Sequence, residues 1–276
     1  MKIALIQQHA TSDREANLQR GLEATRQAID QGAQVICFAE LAFDRFLPQF
    51  QATPEALSRA ETIPGPTTDG FRDLAIDNKV VIIPNLFELA GGPTFDSSPV
   101  IDADGTILGV TRMVHITEYE FFHEQGYYAP GDNGVVVYDT RFGKIGVAIC
   151  YDRHYPEYMR ALAVAGAEVV IVPQAGSVGE WPDGLYEAEM QVAAFQNGYF
   201  TALCNRVGEE ENLTFSGKSF VCGPDGRVLA RADEGTDEIL YCDLDLGQVA
   251  ESHARKLFMR DRRPELYGDW LLPSIT

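Results

Sequence analysis

The 276-residue sequence predicts a single α/β domain, and three observations carry that prediction. Apolar runs of strand length alternate with amphipathic, helix-length segments along the whole chain. The second half repeats the order of the first. No stretch rich in Gly, Ser or Pro separates the halves.

Residues 2–7 read as a buried strand. Ser12-Asp13-Arg14-Glu15 has the form of a capping box, opening a helix with Leu18, Leu22 and Ile29 on one face and a stop at Gly32. Residues 35–39 form the next strand, which delivers Glu40. Pro64-Gly65-Pro66 is a loop, 67–78 a helix and 80–83 a strand. After Pro84 a hairpin is expected, its second arm (106–116) following the Asp104-Gly105 turn. The second half begins with a strand over 144–149 that delivers Cys150, and Pro156 sits in the first turn of a helix ending near Gly166. Strands at 169–172 and 199–204 bracket a helix at 185–196. Two more strands flank Pro224-Asp225-Gly226, and another covers 239–244. Residues 1–247 thus form the domain. Residues 248–276 form a C-terminal extension, basic at Arg255, Lys256, Arg260, Arg262 and Arg263, suited to an acidic surface of the same chain or of a partner subunit.

Hydrophobic residues at 45% and charged residues at 23% describe a soluble globular chain. Lys+Arg at 22 against Asp+Glu at 41 gives a net charge of −19, which disfavours nucleic acid and anionic membrane surfaces as partners. The charge reads as a solubilising surface, with a cationic substrate as the alternative. No apolar run reaches membrane-spanning length and no signal peptide is evident, so a cytoplasmic setting is expected. Cys37, Cys150, Cys204, Cys222 and Cys242 are scattered, odd in number and free of any C-x-x-C pair, which argues against both a disulfide framework and a zinc site.

Cys150 ends an apolar strand and precedes the polar run Tyr151-Asp152-Arg153-His154, at the kind of strand end where α/β folds build ligand sites. A thiol there is a nucleophile if a base or a positive charge activates it, and otherwise a small buried hydrophobe. Glu40 ends a strand in the same way and reads as a general base or as a loop cap.

The segments around these residues resemble the nitrilase superfamily, the carbon–nitrogen hydrolases. Residues 35–40 are similar to the family's glutamate motif, and Gly146-Val147-Ala148-Ile149-Cys150-Tyr151-Asp152 with Tyr155-Pro156-Glu157 to its cysteine motif. Glu124 followed by residues 127–132 resembles the second-glutamate loop, while 205–208, 215–219 and 224–226 match later signposts. Residues 261–267 are similar to the tail of the N-carbamoyl amidohydrolase branch, which includes the N-carbamoylputrescine amidases.

The resemblance implies a four-layer α-β-β-α sandwich that pairs into homodimers or larger homo-oligomers, with the tail crossing to the neighbour. It implies no metal or organic cofactor. Cys150 attacks an amide, ureido or nitrile carbon; Glu40 moves the protons; Glu124 orients or polarises the site. Tyr151, Arg153, Ala175, Gly176 and Trp181 are the substrate-binding candidates, with Glu180, Asp183 and Tyr186 nearby, and the substrate is expected to be small. These loop residues serve equally as local packing and helix caps. Arg153 binds a substrate carboxylate or pairs with Asp152 or Glu157.

One position departs from the family pattern. Its lysine lies two residues before a histidine, and here Thr111-Arg112-Met113-Val114-His115 puts Met113 in the lysine slot. The chain has five lysines, and Lys144, six residues before Cys150 on the same strand, is about 20 Å away at ~3.3 Å per residue. Arg112 is expected to face the other side of its strand, leaving a protonated His115 as the better substitute. Two functional readings follow: a carbon–nitrogen hydrolase with an altered oxyanion site, or an impaired relative that keeps a small-molecule binding role. Met113 as an introduced change in an otherwise ordinary enzyme is a third possibility.

Overall fold

A computed structural model of the protein describes residues 1–271. In the first half the strands are β1 (Lys2–Gln7), β2 (Val35–Phe38), β3 (Val81–Ile83), β4 (Leu86–Leu89), β5 (Thr94–Ile101) and β6 (Ile107–Arg112). Then follow β7 (Val137–Thr140), β8 (Gly143–Val147), β9 (Val169–Gln174), β10 (Phe200–Asn205), β11 (Val207–Glu209) and β12 (Thr214–Ser216). The last are β13 (Phe220–Cys222), β14 (Val228–Arg231) and β15 (Glu238–Asp243). The helices are α1 (Arg14–Asp30), α2 (Pro54–Leu57), α3 (Pro66–Asn78), α4 (Pro156–Val164), α5 (Leu185–Asn197), α6 (Gly247–Glu251) and α7 (Pro264–Leu271).

Two large sheets form, in the orders β15-β1-β2-β3-β5-β4 with β6 on β5, and β14-β13-β10-β9-β8-β7, and β11 pairs with β12 in a small third one. Strand periodicity sorts their side chains. Ile3, Leu5, Val35 and Cys37 pack inward with Ile145, Val147, Val169 and Ile171 of the facing sheet. Ala4, Ile6, Ile36 and Phe38 point outward, where Leu22 and Ala28 of α1 and Phe71 and Ala75 of α3 cover them. On the other side, Val170, Val172 and Leu203 meet Met159 and Leu162 of α4 and Met190 and Ala194 of α5. The layers are α-β-β-α, as expected. Strands β1–β3 run parallel, as do β8–β10, so the chain leaves β2 toward Glu40 and β8 toward Cys150 at strand C-terminal ends.

Three details differ from the sequence expectation. Asp13, not Ser12, caps α1, accepting from Ala16 N–H at 3.0 Å, while Glu15 accepts from Gln19 instead of reaching back. The second hairpin arm stops at Arg112, short of residue 116, because the N–H groups of Val114 and His115 turn away to Asp152. The basic start of the extension sits on backbone carbonyls as well as on an acidic side chain. Arg255 donates to Ala163 O at 3.0 Å and Ala167 O at 2.8 Å, at the partially negative C-terminal end of α4, and Lys256 pairs with Glu251. Residues 272–276 of the expected extension lie outside the described residues. Among the described residues no helix is long and apolar enough to cross a membrane.

Arg206, buried just past β10, ties the second sheet to the loop after β2. Its guanidinium donates to Glu40 O at 2.9 Å, to Leu41 O and to Asp44 O at 2.9 Å, and pairs with Glu210. Removing one partner of a buried charged network leaves the others unsatisfied, at about 3–5 kcal/mol. Arg206→Met is therefore expected to lower the urea midpoint by that much stability with an unchanged m-value; a loss below about 1 kcal/mol contradicts this role.

Candidate active site

Two tight turns face each other at the ends of β2 and β8. Cys150 begins a short 3-10 turn with φ of 43°, a left-handed conformation that is strained for any residue carrying a Cβ. Leu41, directly after Glu40, has φ of 45°. Side chains from elsewhere hold both. Asn85 Oδ1 accepts from Leu41 N–H at 2.7 Å, and Arg206 bonds the Glu40 and Leu41 carbonyls. Arg153 Nη1 donates to Cys150 O at 2.8 Å.

The structure brings Glu40, Glu124 and Cys150 together. The Glu40 carboxyl is fully buried beside the Cys150 thiol and the Asp96 carboxyl, and among the described residues no hydrogen bond holds either of its oxygens. Burial, then the nearby Glu124 charge, pushes it up to about 8. Glu124 opens a one-turn 3-10 helix; its Oε2 accepts from Thr117 N–H at 3.2 Å, and burial raises its carboxyl as well. Burial raises the Cys150 thiol, Glu40 and Glu124 raise it further, and Arg153 and the Ala175 N–H oppose them. The Cys150 thiol is consequently held in its neutral form, with the Glu40 carboxyl next to it.

Met113 is fully buried in the same apolar cluster as Cys150 and Ile149. No lysine replaces it: Lys79, Lys144, Lys218 and Lys256 are exposed, and Lys2 donates to Gln31 O on the far side of β1. Arg112 faces away, as expected, pairing with Glu88 and Asp132. His115 does not supply the missing cation to the thiol. Its Nδ1 pairs with Asp152 Oδ1 at 2.7 Å and its ring stacks on Tyr155. Asp152 also accepts from the Val114, His115 and Ile149 N–H groups, clasping the cysteine turn to the segment that carries Met113. The loop at 127–132 lies tight on that segment. Gly131 N–H donates to Met113 O at 2.7 Å, and a Cβ at 131 would stand 2.4 Å from Arg112 O.

The other candidates divide. The Ala175 N–H lies near enough to the Cys150 sulfur to favour its ionised form, and Gly176 N–H donates to Asn205 Oδ1 at 2.7 Å, which fixes the loop after β9. Arg153 is paired with neither Asp152 nor Glu157. Its nearly inaccessible side chain bonds Gln174 Oε1 at 2.6 Å, approaches Glu189 at 3.3 Å and stacks on the Tyr186 ring, because the turn directs it back under α5. Tyr151 packs edge-on to His154 and Tyr155. Trp181 lines a cavity of about 400 Å³ with Ser177, Tyr186, Asn205, Lys218 and Glu234, but neither Cys150 nor Glu40 lines it. Glu180 is bonded by the Tyr119 and Tyr186 hydroxyls and by Ser177 N–H, and so sits against two residues that line that cavity.

Sequence reading missed Asn85, Asp96 and Arg206. The polar Asp96-Ser97-Ser98 inside an apolar strand was a usable signal for the second; the other two act across long sequence separations that only the fold reveals.

The sequence model of the family described as carbon-nitrogen hydrolase matches residues 2–254. An N-carbamoylputrescine amidase of Solanum lycopersicum is 36% identical over 96% of this chain and 93% of that protein. A citrullinase of Francisella tularensis is 33% identical over 98% of this chain and 97% of its own length. The crystal structure of a carbon–nitrogen hydrolase from Helicobacter pylori superposes with a TM-score of 0.92, at 31% identity, covering 100% of this chain and 99% of that one.

The raised Glu40 carboxyl has a consequence for stability. In the unfolded chain it ionises near 4.5 and in the fold only near 8, so between these values the native state holds a proton that the unfolded state has released. Stability is complete below about 4.5 and falls as pH rises toward 8. Glu40→Gln removes that titration. It is expected to melt on the order of 5–10 °C above the wild type at pH 8, with the gap closing toward pH 5; equal melting curves at both pH values contradict it.

Proposed function

The chain belongs to the carbon–nitrogen hydrolase family, and we propose that it hydrolyses a small amide or N-carbamoyl substrate through a thioester on Cys150, with an altered oxyanion site. The observation that carries this reading is the buried contact between a strained Cys150 and a raised Glu40 carboxyl.

Glu40 takes the thiol proton as Cys150 Sγ attacks the carbonyl carbon, and returns it to the departing ammonia or amine. It then activates the water that opens the thioester, and the proton goes back to sulfur. Glu124 orients the reacting groups. The Ala175 N–H near the sulfur is the donor on hand for the oxyanion, where Met113 supplies none. Losing one such donor costs on the order of 10²–10³ in rate, the penalty expected of the altered site. Tyr151, Ala175, Gly176 and Trp181 border the substrate, and Arg153 fixes the turn. The relatives named for N-carbamoylputrescine and citrulline support an alkyl urea as the acyl donor. The five unpaired, buried cysteines suit a cytoplasmic setting. Val192 and Phe195 of α5, with Leu257, Phe258 and Trp270 of the extension, are exposed apolar residues that a second copy would cover, giving a homodimer.

Incubation with amides, nitriles and N-carbamoyl amines, read by ammonia release and by mass spectrometry of the Cys150 peptide, tests the assignment. Turnover of an N-carbamoyl compound that disappears in Cys150→Ala is expected. An absence of adduct and of ammonia across the panel would sink it and favour the binding-only reading. Met113→Lys separates a disabled site, in which turnover rises by about 10² or more, from an adapted one, in which it falls.

A further inference from the structure

Asp96 is a buried carboxyl that these hydrolytic steps leave unused. It sits in β5, whose antiparallel pairing with β6 sets Ser97 against Arg112. The next opposed pair is Asp96 and Met113, joined by Met113 N–H donating to Asp96 O at 2.9 Å. Directly opposed residues of an antiparallel pair project from the same face, so the residue in the lysine slot is the cross-strand neighbour of Asp96. Arg112, one position away, faces the other side.

The surroundings of the carboxyl are specific. Oδ1 accepts from Asn85 Nδ2 at 2.6 Å; the same amide nitrogen reaches Ser98 Oγ at 3.1 Å, and Asn85 Oδ1 holds Leu41 N–H. Oδ2 is buried and bonded to no nitrogen or hydroxyl among the described residues, and the Asp96 carboxyl lies against that of Glu40. The other ionisable groups facing this pair are Glu124, Asp152, Tyr128 and Cys150, all acidic. Arg206 is the cation on Glu40, and its bonds go to the main chain of that loop and to Glu210. Two buried carboxyls in contact, without a bridging cation among the described residues, cannot both be ionised, and a proton between them binds them together.

We propose that Asp96 is a positioning acid of this site: when Glu40 is ionised to act as the base, the Asp96 carboxyl keeps its proton and donates it as a hydrogen bond to the Glu40 carboxylate, doing for Glu40 what a cation at position 113 would do. The proposal rests on Glu40 being the base toward Cys150. When the thiol ionises, its proton moves to Glu40 and Asp96 keeps its own, so the pair passes from one negative charge to none while sulfur gains one. When Glu40 gives up that proton to the leaving group, the pair returns to a single negative charge. The site therefore works as a two-proton dyad in an acidic pocket.

The test is the pH profile of Cys150 alkylation by iodoacetamide, followed on the Cys150 peptide across neutral and alkaline pH, in wild type, Asp96→Asn, Asp96→Leu and Glu40→Gln. Asn keeps the shape and an N–H donor but cannot repel or compete with Glu40. Its profile is expected to shift to lower pH by about one unit, with a plateau within about threefold of wild type. Leu removes the donor and is expected to slow alkylation at least ~10-fold and move the midpoint upward. Infrared difference spectra at neutral pH, wild type against Asp96→Asn, should show the loss of one protonated-carboxyl C=O band. An unmoved midpoint in Asp96→Asn, or no lost band, overturns the proposal. Glu40→Gln tests the underlying assignment separately. A wild-type alkylation profile in that variant removes Glu40 as the base and the proposal with it. Suppressed alkylation there, alongside an unmoved Asp96→Asn midpoint, refutes the role of Asp96 alone.

Discussion

The exclusion of water from the seam between the two sheets governs the rest of this molecule. The inward faces of β1, β2, β8 and β9 supply an apolar layer that extends to Met113 and Cys150, so polar groups at its edge lose hydration and gain little in return. Main-chain groups there are consequently bonded by side chains from distant segments: Arg206, Asn85 and Asp152 each bridge parts of the chain well apart in sequence. The carboxyls of Glu40, Asp96 and Glu124 are instead pushed toward their neutral forms. A lysine there would have countered that push, and Met113 does not.

Chemistry and stability oppose each other at this seam. Glu40 is buried where its ionised form is disfavoured, which raises its basicity toward the thiol and weakens the native state as pH rises. The strained turns at Leu41 and Cys150 add to the same debt, and the Arg206 network and the Asp152 clasp hold them in place. Cys150 is thus positioned by residues other than the Glu40 carboxyl it faces.

Much of this was legible in the sequence, because period-two apolar runs and their ends are local signals. The strands delivering Glu40 and Cys150, the layer architecture implied by the family resemblance, and the apolar residue at 113 all lie within short windows. What stayed hidden depends on register or on long-range closure. His115 looked like a free cation until Asp152 was seen to pull the chain out of β6 after Arg112. Arg153 looked available to a substrate until the turn laid it under α5 beside Glu189. Asp96 acquires meaning only when β5 and β6 are aligned to place it opposite Met113.

The left-handed backbone at Cys150 also bears on how the protein is best used as a reagent. An alanine there keeps the Cβ that makes φ of 43° unfavourable, whereas glycine adopts that angle without steric penalty. A Cys150→Gly protein relieves roughly 1–2 kcal/mol of local strain, which offsets the lost packing of one sulfur. It retains Glu40, Glu124 and the Ala175 N–H around a slightly enlarged space. For capturing an intact ligand, the glycine form is the better scaffold: free of the thiol, relaxed at the turn, and with room where the sulfur stood.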